Sequence, residues 1–384
     1  MNNVYLDNAA TTKVKEEVVR RMIPYFCEEY GNASSLYYIG RNAKKAIEDA
    51  RQKVANLIGA NKNEIYFTSG GSESDNMSLK GIAYANVEKG NHIITSKIEH
   101  HAILETCEFL ETQGYKVTYL NVDKQGRINL EELENSITDK TILISIMFAN
   151  NEIGTIQQVE KISKIAHNNN IIFHTDAVQA VGNIEIDVKK MGIDIISISG
   201  HKIYGPKGVG AIYINEEIKI EKFINGGKQE KNKRAGTENV AGIAGLGEAC
   251  KLSKNNIKEH INKLKTLRDY YEEKVIENIS DIKINGCIEN RLPGNSNISF
   301  KDINAATLVL ELDNKGICAS SGPACSSGDS MPSHVLTAIG LNSNLSRGAL
   351  RVTFGDFNTK EEVDYVIANL KEIINKLRKN SSIN

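Results

Sequence analysis

The six cysteines of this 384-residue chain (Cys27, Cys107, Cys250, Cys287, Cys318 and Cys325) include no CxxC pair. That scatter fits neither a disulfide framework nor a structural zinc site, and the thiols are expected to be reduced. Proline is scarce, five residues in all, and no proline-rich linker, repeat or low-complexity tract divides the chain, so its domains should pack closely. Neither sign of charge is in excess: 47 basic against 48 acidic residues give a net charge of -1. This balance lacks the basic field that nucleic acids or anionic membranes attract. Long apolar runs are also missing. A stretch such as 141–149 is too short to cross a bilayer, and the opening MNNVYLDNAATTK lacks the basic and apolar regions of a secretory leader. A cytoplasmic protein without nucleic-acid or membrane partners is expected.

What is present reads as an ordinary globular enzyme, 40% hydrophobic and 25% charged, long enough for two domains. From 13 to 255, amphipathic stretches alternate with short β-rich runs, the pattern of an α/β fold with a mostly parallel sheet wrapped by helices. Seven strands are expected, at 64–68, 92–96, 116–121, 141–148, 171–176, 194–199 and 209–214. A helix over 41–58 carries Ala43, Ala46, Ile47, Ala50, Val54 and Leu57 on one face, and Gly59 ends it. A connecting helix over 256–279 leads into a smaller α+β domain, 256–384 together with 1–12. Strands near 296–300, 316–320 and 349–354 belong to it, as does a last helix opened by Thr359 and Glu362 in capping-box spacing.

In open α/β sheets ligands collect beyond the carboxyl ends of the strands, so polar residues placed just after apolar runs come first. In TSGGSESDN, residues 68–76, a strand turns through Gly70 and Gly71 into a helix whose leading amides at Gly71 and Ser72 suit a phosphate. Alone, such a pair is ordinary turn chemistry. In HTDAVQ, Asp176 ends a strand and Gln179 follows at the start of the next helix; Asp176 is either a helix cap or the partner of a heterocyclic N–H. In SISGHKIYGPKGVG, residues 197–210, a strand ends at Ser199, Gly200, His201 and Lys202. A lysine at the rim of a central strand is placed to form a Schiff base with an aldehyde cofactor. Lys202, Asp176 and the Gly71–Ser72 turn supply handles for an aldehyde, a ring nitrogen and a phosphate, which together favour pyridoxal phosphate.

With these segments stand YLDNAATT at 5–12, YGNASS at 30–35, IEHHAI at 98–103, NNEIG at 150–154, RAGTEN at 234–239 and SSGPACSSG at 320–328. Over nearly its full length the chain resembles the cysteine desulfurases of the NifS/IscS branch, in the class-V, fold-type I group of pyridoxal-phosphate enzymes. The resemblance implies an aspartate-aminotransferase-like large domain. It also implies that His100 stacks on the cofactor ring, that Asn151 and Gln179 touch its polar edge, and that Asp176 keeps its nitrogen protonated. For the phosphate it points to Gly71, Ser72, Ser199 and His201, with Thr237 reaching in from the second subunit of a homodimer. Gly71–Ser72 stands where relatives commonly carry Ala-Thr, and Pro323 where many carry serine.

The segment around Cys325 is small and polar, unlike the apolar settings of Cys107 and Cys318, and the resemblance makes Cys325 the nucleophile. On that reading Lys202 moves the Cα proton of L-cysteine. Cys325, in a mobile loop over 320–331, then takes the sulfur as a persulfide, and His100 manages protons at the substrate thiol. Arg351, in ALRVTF, matches the arginine that binds the substrate carboxylate, with Asn151 beside it. An iron-sulfur scaffold or another sulfur acceptor follows as partner, with Cys325 a transient ligand to the nascent cluster and no resident metal. A selenocysteine lyase or an aminotransferase is the nearest alternative, and a silent scaffold the alternative from another class. The basic run 228–234 reads as a solvated face or a docking surface.

Overall fold

The computed structural model describes residues 3–322 and 333–381; Pro323 and Cys325 lie outside the described residues. Twelve strands occur among them: β1 Val4–Tyr5, β2 Ile65–Thr68, β3 His92–Ser96, β4 Lys116–Leu120, β5 Thr141–Ser145, β6 Ile172–Asp176, β7 Ile195–Ser199, β8 Gly210–Ile214, β9 Ile282–Ile284, β10 Asn295–Phe300, β11 Ile317–Cys318 and β12 Ala349–Thr353. Strands β2 to β8 form one sheet in the order β2-β8-β7-β6-β5-β3-β4. Strand β8 runs antiparallel to both β2 and β7, while the other pairings are parallel. This is the expected seven-stranded, mostly parallel sheet.

The apolar runs explain it. Strands β2, β3, β5, β7 and β8 are buried at every position, as a sheet covered on both faces requires. One face packs Ile94, Ile144, Phe173 and Ile196 against Val54, Ile58 and Leu246. The other packs Ile93, Leu143, Ile195 and Ile212 against Met77, Ile82, Ile103 and Leu110. Strand β5 ends at Ser145, short of its apolar run. The amides of Ile146 and Phe148 still donate to the carbonyls of His174 and Asp176, at 3.2 and 2.8 Å.

The C-terminal part holds an antiparallel sheet, β12-β10-β9, and β1 pairs in parallel with β11, which draws the start of the chain to this end. Leu264, Leu267, Tyr271, Val275, Ile298, Phe300, Val352 and Leu370 fill its core. The helix expected over 256–279 spans Val240–Asn278, so it begins much earlier. Glycines in 240–249 argue against a helix on propensity, but packing overrides them. A Cβ on Gly247 would meet Ala50 Cα at 2.6 Å, and one on Gly245 would meet Met22 Sδ at 2.7 Å. The small residues let this helix lie close against the Tyr38–Ile58 helix. No helix among the described residues is long and apolar enough to cross a membrane.

Candidate active site

The carboxyl ends of β2, β6 and β7 open on the same edge of the sheet, and each delivers one of the expected segments. Strand β7 ends at Ser199, and a single helical turn, Gly200–Lys202, follows at once. Strand β6 ends at Asp176. Gln179 lies in a turn and not at a helix start as expected. The Asp176 carboxylate accepts the Val178 amide at 2.9 Å and Gly182 takes a left-handed φ of 81°, so the chain bends too sharply there to wind a helix. Strand β2 runs through Gly70 into the Gly71–Ala85 helix.

A cavity of about 230 Å³ forms where these ends meet, lined by Gly71, Ser72, His100, Asn151, Asp176, Gln179, Ser199, His201, Lys202 and Arg351. The Lys202 ammonium donates to the carbonyl of Ala9 and, at 2.7 Å, to that of Ala10. Gln179 Nε2 reaches the Ala9 carbonyl at 3.0 Å. The YLDNAATT segment is therefore a wall of the site. Its Thr12 is tied by amide and hydroxyl to the His201 carbonyl, each at 2.9 Å.

Electrostatics divide the cavity. Burial pushes the Asp176 carboxyl up, while His100 and Lys202 draw it back down. Burial likewise lowers His100, and nearby Lys202 adds to the effect, so the ring favours its neutral form. His100 caps the His101–Thr112 helix: its Nδ1 accepts the Ala102 amide at 3.1 Å, which leaves the ring proton on Nε2. His201 contacts the Thr11 hydroxyl at 3.2 Å, and burial together with Lys202 and Lys207 brings it down to about 4. On this flank the Gly71 and Ser72 amides open the helix beside Ser199, His201 and Lys207, which is the chemistry of an oxyanion site.

At the opposite flank stands Arg351 on β12, 1% exposed. Its guanidinium pairs with Asp7 at 2.7 Å and donates to the Asn151 carbonyl at 3.1 Å, while Nε is buried without a hydrogen-bond partner. Sequence reasoning missed Asp7, although it lies within YLDNAATT. It also missed Asp75, a buried carboxyl on the same cavity wall whose Oδ1 has no hydrogen-bond partner. Burial, then the neighbouring Asp176, raises Asp75 well above the usual carboxylate range. Thr237 is exposed and lies outside the cavity of its own chain. The described residues on either side of the Cys325 segment both attach beside the arginine. Ser320 and Arg351 exchange backbone hydrogen bonds at 2.7 and 3.2 Å, and the Ser333 hydroxyl donates to Glu152 at 2.6 Å.

These features fit pyridoxal phosphate: an amine for its aldehyde, a buried carboxyl for its ring nitrogen and helix-end amides for its phosphate. Residues 4–366 match the aminotransferase class-V family. The chain is 52% identical to the cysteine desulfurase IscS of Clostridium botulinum over 382 residues, covering 99% of this chain and 96% of that protein. It is 54% identical to the cysteine desulfurase IscS of Methanosarcina thermophila over 380 residues, covering 99% and 94%. Among solved structures, a NifS-like protein superposes with a TM-score of 0.92 at 38% identity, covering 97% of this chain and 100% of that one. SspA in complex with cysteine superposes with a TM-score of 0.81 at 37% identity, covering 93% and 100%. The lysine, the paired strand ends and the buried arginine thus sit in a chain that belongs to the aminotransferase class-V family, among its cysteine desulfurases.

Proposed function

We propose that this protein uses pyridoxal phosphate to take sulfur from L-cysteine, holds it as a persulfide on Cys325 and releases L-alanine. The observation that carries the reading is the meeting of Lys202, Asp176 and Arg351 on one cavity, with the arginine buried. Bound there, pyridoxal phosphate supplies an electron-withdrawing ring that stabilises the charge left at the substrate Cα. Lys202 holds the aldehyde through its amine and, once the substrate replaces it, moves the Cα proton. Asp176 keeps a proton on the ring nitrogen. Gln179 and Asn151 border the ring's polar edge, while Gly71, Ser72, Ser199, His201 and Thr237 from a second copy hold the phosphate.

Arg351 grips the substrate carboxylate by exchanging Asp7 for it, and its planar fork suits that ligand better than a lysine would. The neutral His100 ring offers Nε2–H near the substrate thiol. The Cys325 thiolate then attacks the substrate sulfur; the new S–S bond forms as the Cβ–S bond breaks, and the carbon fragment keeps the electron pair and is protonated to alanine. The persulfide passes to an acceptor protein, such as an iron-sulfur scaffold. A thiol that must stay reduced between turnovers suits the cytoplasm. With Cys325→Ser, cofactor absorbance and its change on adding L-cysteine are expected to persist while alanine formation stops. Alanine release at the parental rate from this variant would instead favour a lyase that needs no thiol, and loss of the amino group with the sulfur retained would favour an aminotransferase.

A further inference from the structure

Lys202 also borders a second cavity, of about 270 Å³, between the large sheet and the C-terminal part. In its wall His260, on the Val240–Asn278 helix, bridges two oxygen acceptors. Nδ1 lies 2.5 Å from Asp356 Oδ1 and Nε2 lies 2.9 Å from Asn183 Oδ1. The Asn183 amide is oriented independently of the histidine, because its Nδ2 donates to the Gln179 carbonyl at 3.0 Å. Only its oxygen is left to face His260. A ring with an acceptor at each nitrogen must donate from both, and the imidazolium is the form that does so.

Asp356 is the anion that faces the ring. Lys15 Nζ lies 2.5 Å from the other Asp356 oxygen, and Lys263 donates to the Asp356 carbonyl. The Tyr204 hydroxyl accepts the Asp356 amide at 2.8 Å, and its ring stands edge-on to the imidazole at 6.0 Å. Glu259 and Lys202 are the remaining charged side chains along this cavity. Burial opposes ionisation of Asp356, yet the His260 and Lys15 contacts bring its carboxyl down to about 2.

Both ends of the bridge adjoin elements that carry site residues. Asn183 closes the turn that starts at Asp176 and carries Gln179, and Asp356 follows the strand that carries Arg351. We propose that His260, as an imidazolium, is a positioning residue that clamps the Arg351 strand to the Gln179 turn and so sets the grip on the substrate carboxylate. It touches neither cofactor nor substrate; its effect passes through Arg351, so the inference rests on the role given to that arginine above.

The test uses the reconstituted holoenzyme. Nitrogen-15 NMR at pH 7, with the His260 signal assigned by its loss in His260→Gln, is expected to find a proton on each ring nitrogen. The L-cysteine concentration that half-saturates the cofactor's spectral change is expected to rise about fivefold in His260→Gln, the scale of one charge-assisted hydrogen bond only partly transmitted. Cofactor affinity should stay within about twofold, and His260→Arg, which keeps a cation, should recover most of the loss. Asp356→Asn should reproduce the defect from the other side of the bridge and serves if the glutamine variant does not fold. Cysteamine, the same thiol amine without a carboxylate, should bind both forms equally. A neutral ring, an unchanged half-saturation, or an equal penalty for cysteamine would overturn the inference. Arg351→Ala separates the two claims: L-cysteine binding undiminished in that variant would refute the arginine's role, leaving the NMR result to judge His260.

Discussion

Gly71 has no room for a side chain: a Cβ there would fall 2.6 Å from Val178 Cγ2. Val178 sits between Asp176 and Gln179 in the tight turn after β6, so one methyl group links the phosphate end of the cavity to its ring end. Overpacking by a methyl typically costs about 1–3 kcal/mol. Gly71→Ala is therefore expected to weaken pyridoxal-phosphate binding by about tenfold, and Val178→Ala in the same chain should restore it. Absorbance titration of the apoprotein reads both; parental affinity in the single variant would mean that Val178 moves aside freely. At this scale the sequence was informative where chemistry follows directly from position. Lys202 and Asp176 end apolar runs, and a strand end is legible without coordinates. Asp7 was not legible, because it reaches Arg351 across 344 residues of chain only once β1 has paired with β11. The Asn183–His260–Asp356 bridge was hidden for the same reason.

Among the elements, β2 forms one edge of the large sheet, and an edge strand leaves backbone groups unpaired. Here a side-chain pair covers them. Arg51 donates to the Ile65 carbonyl at 2.8 Å, and Glu230 accepts the Phe67 amide at 2.8 Å. The two bind each other in two contacts, at 2.7 and 2.9 Å, nearly excluded from water. Holding Glu230 there puts Glu230, Lys231 and Asn232 in the left-handed region, at φ of 44°, 54° and 68°. Each such residue is disfavoured by about 1–2 kcal/mol, so the clamp must offset that strain. The basic run 228–234 is thus more than a solvated face, since it contains this buried carboxylate and Arg234, which pairs with Glu73 at 2.8 Å. Glu230→Ala takes away the buried partner of Arg51, leaving it the more exposed Glu48 at 3.1 Å, and is expected to lower stability by about 3 kcal/mol. Urea unfolding checks it, with Glu16→Ala as a control, because the exposed Glu16–Arg20 pair should contribute under about 1 kcal/mol. Strand positions were legible from apolar runs, whereas the start of the Val240 helix was not. Glycine tells against a helix locally, and its use as a close contact with Ala50 appears only once two distant helices are packed.

For the whole molecule, the surface of one chain is left incomplete. Phe26, Tyr30, Leu36, Tyr37 and Tyr38 are all exposed within residues 26–38, Leu36 at 89%, and large apolar side chains gathered on a surface mark contact sites. Thr237 is also exposed, outside the cavity it is expected to serve. A homodimer in which each copy lends Thr237 to the other resolves both facts, and mixed dimers test it. Thr237→Ala should weaken cofactor binding by about tenfold, the scale of a lost hydrogen bond to a phosphate, and Lys202→Ala should abolish turnover. Pairing one chain of each kind gives a site with its own Lys202 and the other copy's intact Thr237. If the threonine crosses the interface, mixed dimers isolated with two affinity tags regain about half the parental turnover at a cofactor concentration too low to saturate the Thr237→Ala homodimer. If Thr237 serves its own chain, each site in the mixed dimer lacks one group or the other, and turnover falls to about half that of the Thr237→Ala homodimer, since only one of its two sites keeps Lys202.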